Sequence, residues 1–157
     1  MKRNWKSSLF WILIAEAVGA LSGWLTREGL QLYAQTIVKP PLSPPGWVFP
    51  VVWTVLYALM GIGAAIIYQA PESKIRSLGL NLFVAQLVVN FFWSPIFFNL
   101  RAYGFAFVWL LLLWGLVLWM SLVFRKVDPT AAKLQIPYLL WLTFAAYLNL
   151  GVRYLNR

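Results

Sequence analysis

The sequence predicts an all-α membrane protein, a bundle of five transmembrane helices with a long proline-rich first loop. Three observations carry this. Only 11% of the 157 residues are charged and 62% are hydrophobic, whereas ordinary soluble domains carry about 25% charged residues. Apolar runs of about 20 residues, the length that spans a bilayer, recur five times. The runs do not alternate with period two, as membrane strands would; FVWLLLLWGLVLW at 107–119 is an example. Lipid offers backbone N–H and C=O groups no partners, so each run must be a helix. The chain is expected to form one domain over residues 1–157.

The first span, Ser8–Thr26, carries Ala15, Gly19, Ser22 and Thr26 at i, i+4, i+7 and i+11. Such a row of small residues permits close helix approach. Ala15, Gly19 and Gly23 also form a small-xxx-small pattern that can pack within the bundle or between protomers. Glu16 lies near mid-span, where an ionised carboxylate costs about 2.5–3.5 kcal/mol. It should face protein, in protonated form, with either a structural hydrogen bond or a ligand or proton role. The run is too long for a signal peptide and no small-residue cleavage site follows, so no secretory signal is expected.

The connection from Arg27 to Gly46 holds Pro40, Pro41, Pro44 and Pro45. Proline fixes φ and withholds a donor, so the segment that holds these four prolines cannot be helix or central strand. A long loop in a compact protein is usually functional or disordered. Proline stiffness favours a functional one, a lid over a pocket.

The second span, Trp47–Gln69, presents Trp53, Tyr57 and Gly61 at spacing four. In the third, Leu78–Leu100, one stripe holds Gln86, Asn90, Trp93 or Ser94, and Phe97, with Pro95 expected to bend the helix. Gln86 and Asn90 suit interhelical hydrogen bonding as well as ligand contact. The fourth span is Tyr103–Phe124. The fifth, Ala132–Val152, presents Trp141, Ala145 and Asn149 at spacing four. With five spans, the outer halves of all these stripes share one membrane face. Aromatics mixed with small or polar residues make a poor lipid-facing surface and a good pocket wall. Trp5, Trp24 and Trp47, near span ends, suit interface anchoring.

The net charge of +9 comes from cations flanking the spans, so nucleic-acid binding is excluded. Lys2, Arg3, Lys6, Lys74, Arg76, Arg125, Lys126 and Lys133 fall on one side. Arg27, Lys39, Arg101, Arg153 and Arg157 fall on the other. The positive-inside rule then puts the N-terminus in the cytoplasm, in a cell membrane. The chain has no His and no Cys. That removes thiol and imidazole catalysis, the common zinc sites and the usual axial haem ligands.

The segments KPPLSPPGWVFPVVWTVLYALMG, NFFWSPIFFNLR and PYLLWLTFAAYLN resemble the TspO/translocator protein family, also called tryptophan-rich sensory proteins or peripheral-type benzodiazepine receptors. The resemblance runs from about Gly19 to Asn156. It implies a five-helix membrane protein, often homodimeric, that binds protoporphyrin IX or haem as ligands rather than required cofactors. Sterols and isoquinoline carboxamide or benzodiazepine compounds are further ligands of that family. By motif position the pocket would use Trp53, Asn90, Phe91, Trp93, Trp141, Ala145 and Leu148, closed by the loop at Pro44. The stripes add Ser22 and Tyr57. Phe105 stands where relatives carry an aromatic, and Trp109 where they often carry an acid. Leu150 follows Asn149 where sterol-binding relatives have Tyr, which weakens a sterol reading; a generic sterol pattern through Leu142, Tyr147 and Arg153 is hypothesis-grade.

Three functions follow as expectations. In the first, facing indoles of Trp53 and Trp141 stack on a tetrapyrrole, for porphyrin handling or stress sensing. In the second, the same two residues take part in light-dependent porphyrin degradation as an enzyme. The third is small-molecule transport, although no internal repeat is visible and five spans do not halve.

Overall fold

The computed structural model describes residues 5–156. Lys2, Arg3 and Arg157, used above in the charge comparison, lie outside the described residues. The described chain is helical with no strand. Its elements are α1 (Trp5–Leu25), α2 (Arg27–Thr36), α3 (Val48–Tyr68), α4 (Lys74–Ser94), α5 (Tyr103–Val127), α6 (Pro129–Lys133) and α7 (Ile136–Leu155). Among the described residues four stretches are long and apolar enough to cross a membrane: Trp5–Leu25, Val48–Tyr68, Lys74–Asn99 and Tyr103–Val127. α7, at 20 residues, is nearly as long, but Thr143, Asn149 and Arg153 lower its mean hydropathy.

Glycine sets how closely α1 and α3 pack. A Cβ on Gly61 would lie 2.5 Å from Ile12 Cα and 2.6 Å from Ile12 N, so the two backbones touch there. One turn towards the other end of α3, the Tyr57 ring fills the space a side chain on Gly19 would need. Ser22 Oγ then donates to the Phe91 carbonyl at 2.9 Å, tying α1 to α4. α1 fully buries only Ala15 and Ser22, so most of its surface faces outward. The main core lies between α3, α4, α5 and α7, around Met60, Phe83, Leu113, Phe124, Tyr138 and Leu142.

The turn between α3 and α4 is held by side chains. Ser73 caps α4 by accepting from Arg76 N, and Arg76 donates to the Tyr68 carbonyl at 2.7 Å. This satisfies a carbonyl that α3 would otherwise leave open. Asp128 caps α6, accepting from Thr130 N at 2.9 Å.

Three expectations need correction. The first connection is not all loop, because α2 occupies Arg27–Thr36. Its REGLQLYAQT sequence is amphipathic, and the prolines that forbid helix begin only at Pro40. Second, Pro95 does not simply bend the third span. α4 passes into a π-helical turn, Pro95–Asn99, closed by Leu100 N donating to the Pro95 carbonyl at 3.0 Å; the wider turn absorbs the missing proline donor. Third, the proline segment is pinned to α7. Tyr147 Oη donates to the Pro41 carbonyl at 2.7 Å, and Asn156 both accepts from Val38 N (3.0 Å) and donates to its carbonyl (2.8 Å).

Trp5, Trp24 and Trp47 are all exposed, and the Arg27 guanidinium lies 4.5 Å from the Trp24 ring centroid. This suits rings at a membrane boundary.

Gly61→Val would push a branched side chain into the Ile12 backbone, which cannot step aside. It should lower stability by about 1–3 kcal/mol, read as a fall in the thermal midpoint of the detergent-solubilised protein.

Candidate functional site

α1, α2, α3, α4, α5 and α7 enclose a cavity of about 370 Å³, within the roughly 300–1,000 Å³ of small-molecule sites. Glu16, Gly19, Ser22 and Gly23 contribute from α1, Thr26 from the corner between α1 and α2, and Leu30 and Tyr33 from α2. α3 supplies Phe49, Pro50, Trp53 and Tyr57. Asn90 and Trp93 come from α4, Phe97 and Phe98 from its π turn, and Leu110 and Leu113 from α5. α7 adds Trp141, Ala145, Leu148 and Asn149.

The floor is a chain of buried hydrogen bonds. Tyr57 Oη donates to Asn90 Oδ1 at 2.7 Å, Asn90 Nδ2 to Tyr138 Oη at 2.6 Å, and Tyr138 Oη to Gln86 Oε1 at 2.7 Å. It links α3, α4 and α7. Beside each of Tyr57, Asn90 and Tyr138, one turn along its helix, stands an indole: Trp53, Trp93 and Trp141. α3 runs opposite to α4 and α7, so all three indoles lie towards the same end of the bundle. Spacing alone therefore raises an aromatic wall above a polar floor.

The wall has two sides. On one, Trp53 packs against Tyr57 (5.5 Å between centroids, 32°) and Trp141 (6.5 Å, 88°), and Phe49 meets Trp141 at 5.9 Å. On the other, Trp93 stacks on Phe97 at 5.0 Å and 23°, and Tyr33 closes over Phe97 and Phe98 at 5.6 and 5.3 Å. The Trp93 indole N–H donates to Asn149 Oδ1 at 3.2 Å, and Asn149 Nδ2 to the Tyr103 carbonyl at 2.8 Å. The Trp141 indole N–H is buried with no acceptor among the described residues.

α2 is the cover. Leu30 and Tyr33 point into the cavity, while Asn99 Nδ2 donates to the Leu25 carbonyl at 3.1 Å and fixes the α1–α2 corner to the π turn. Burial, then the neighbouring Tyr103 phenol, pushes the Tyr33 phenol up to about 12, so the lid ring is neutral at physiological pH.

Of the residues singled out in the sequence, Ser22, Trp53, Tyr57, Asn90, Trp93, Trp141, Ala145 and Leu148 come together here. Three do not. Pro44 lies outside the lining because its segment is held on α7. The Phe91 ring packs against Phe92 at 5.1 Å, and the residue meets α1 through its carbonyl. Phe105 is exposed and borders a separate surface hollow with Arg101 and Arg153. The facing-indole expectation is also corrected: at 88° Trp53 and Trp141 meet edge to face. Leu30, Tyr33, Phe49 and Phe98 were missed. Leu30 and Tyr33 at i, i+3, and Phe49 and Trp53 at i, i+4, are the signals that mark them.

Tyr138→Phe removes one hydroxyl and leaves Asn90 Nδ2 and Gln86 Oε1 short of a partner. The expected loss is about 1–3 kcal/mol of stability, measured by denaturant-dependent unfolding, with the helix content of the native state unchanged.

Comparison with known proteins places this geometry in a family. The family model described as TspO/MBR family matches residues 11–155. The translocator protein of Ovis aries is 38% identical over 152 residues, covering 95% of this chain and 89% of its own. The tryptophan-rich protein TspO of Chlorobaculum tepidum is 37% identical over 141 residues, covering 89% of each chain. The tryptophan-rich sensory protein of Cereibacter sphaeroides is 36% identical over 118 residues, covering 75% of this chain and 73% of its own. The match spans every helix that lines the cavity, and the chain belongs to the TspO/MBR family.

Proposed function

We propose that this chain is an integral membrane protein of five spans, α7 being the fifth, that binds a planar tetrapyrrole such as protoporphyrin IX or haem in the cavity beneath α2. Its task is porphyrin handling or stress sensing in a cell membrane, with the N-terminus cytoplasmic. A homodimer and a capacity for isoquinoline carboxamide or benzodiazepine-type compounds belong to the same reading. The observation that supports it is the aromatic wall carried on four separate elements around a space with few polar groups. The chain has neither His nor Cys, so rings and shape would hold the macrocycle rather than a strong axial bond. Because Trp53 and Trp141 meet edge to face, the macrocycle would lie on one indole face. Stacking of this kind is worth about 0.5–1.5 kcal/mol beyond area burial.

A second reading is light-dependent porphyrin breakdown. It is favoured by the contact between the Trp53 and Trp141 rings and by the unpartnered Trp141 indole N–H. In this reading the excited porphyrin supplies the reactivity and the indoles take part in electron transfer.

Trp53→Ala and Trp141→Ala should each weaken protoporphyrin binding by about tenfold, followed by absorbance titration, with far-ultraviolet circular dichroism unchanged. Unaltered affinity in both would remove the tetrapyrrole from this cavity. Under illumination, Trp141→Phe keeps a ring but not an indole. If the second reading holds, it slows formation of a defined product; bleaching at the wild-type rate would leave only detergent and oxygen chemistry.

A further inference from the structure

We propose that the cavity has a cation subsite at Glu16, and that it receives flat aromatic amines in their protonated form with the Glu16 carboxylate as counter-charge. This deepens the reading above and rests on the cavity being the ligand site. Glu16 is the one acidic side chain of the lining, and among the described residues no Lys or Arg borders the cavity. Its carboxyl makes no hydrogen bond or ion pair with any described residue. Two cations on neighbouring elements are held by backbone carbonyls. Arg27 donates to the Trp24 carbonyl at 2.6 Å and lies over that ring, and Arg76 is held by the Tyr68 carbonyl.

Open space lies about 10 Å further along the stripe of α1 that carries Glu16. Glu16, Gly19 and Gly23 fall at i, i+3 and i+7, one stripe of α1, and all three line the cavity. A Cβ on Gly23 would meet nothing within 4 Å. Gly19 in turn packs on the Tyr57 ring, so α1 sets a carboxylate next to the aromatic wall of α3. A carboxylate in an apolar span needs a partner, and aromatic faces attract cations as well as flat rings. An amine on an aryl group answers both at once. A dianionic tetrapyrrole answers only the second, and its carboxylates must point away from Glu16.

The test uses the full-length protein in nanodiscs of zwitterionic lipid, with empty discs subtracted. Calorimetric titration at neutral pH compares 2-naphthylmethylamine, a cation, with 2-naphthylmethanol, its neutral counterpart. The amine should bind about tenfold tighter. Glu16→Gln should erase that preference by bringing the amine's affinity down to that of the alcohol. Gly23→Leu, which fills cavity space two turns along α1 and leaves the carboxyl in place, should weaken both naphthyl compounds. Equal wild-type affinities, or a preference that survives Glu16→Gln, would overturn the subsite. If the Trp variants still lose protoporphyrin in that case, only the subsite fails. If neither naphthyl compound nor protoporphyrin responds to Trp53→Ala, the cavity reading fails with it.

Discussion

The structure depends on the hydrogen-bonded chain Tyr57–Asn90–Tyr138–Gln86. In an apolar bundle no hydrophobic force separates one helix rotation from another, since lipid is as apolar as leucine. Directed polar pairs do separate them, because a rotated helix would leave an amide or phenol unpaired in a low-dielectric interior. Fixing α3, α4 and α7 about this point also fixes what stands one turn away, and on each helix that is a tryptophan. The aromatic wall is thus a consequence of the polar floor. Glycines complete the geometry: Gly61 brings α1 onto α3 at the level of Ile12, and Gly19 leaves room for the Tyr57 ring that begins the chain.

Above the floor the same helices separate, and the π turn at Pro95–Asn99 matters there. It carries Phe97 and Phe98 to the cavity and gives Asn99 the reach to hold the α1–α2 corner. A regular helix through this region would place these side chains about a third of a turn away. The proline that disrupts α4 therefore builds the second aromatic side and anchors the cover over it.

Much of this was legible in the sequence, for a physical reason. Helical period alone brings Trp53 with Tyr57, Asn90 with Trp93, and Trp141 with Ala145 onto shared stripes, and the antiparallel order of spans puts those stripes at one end. Other features depend on contacts that period does not encode. α2 was obscured by the prolines downstream of it, although its own ten residues are amphipathic. Pro44 was expected over the cavity, but the Tyr147 hydroxyl and Asn156 amide capture the proline segment from α7. Whether two indoles face or meet edge-on is set by side-chain rotation, and spacing is silent on that. Length and composition mark the fifth span less clearly, because α7 carries Asn149 in the cavity lining and Arg153 at the separate surface hollow.

One measurement bears most directly on the claim that the polar floor holds an aromatic binding wall in place. It is an experimental structure of the protein with protoporphyrin bound. The account predicts the macrocycle beneath α2, flat against one face of Trp53 or Trp141, with the Tyr57–Asn90–Tyr138 bonds intact. A macrocycle on the lipid-facing surface, with the space between α1, α3 and α7 still empty, would contradict it.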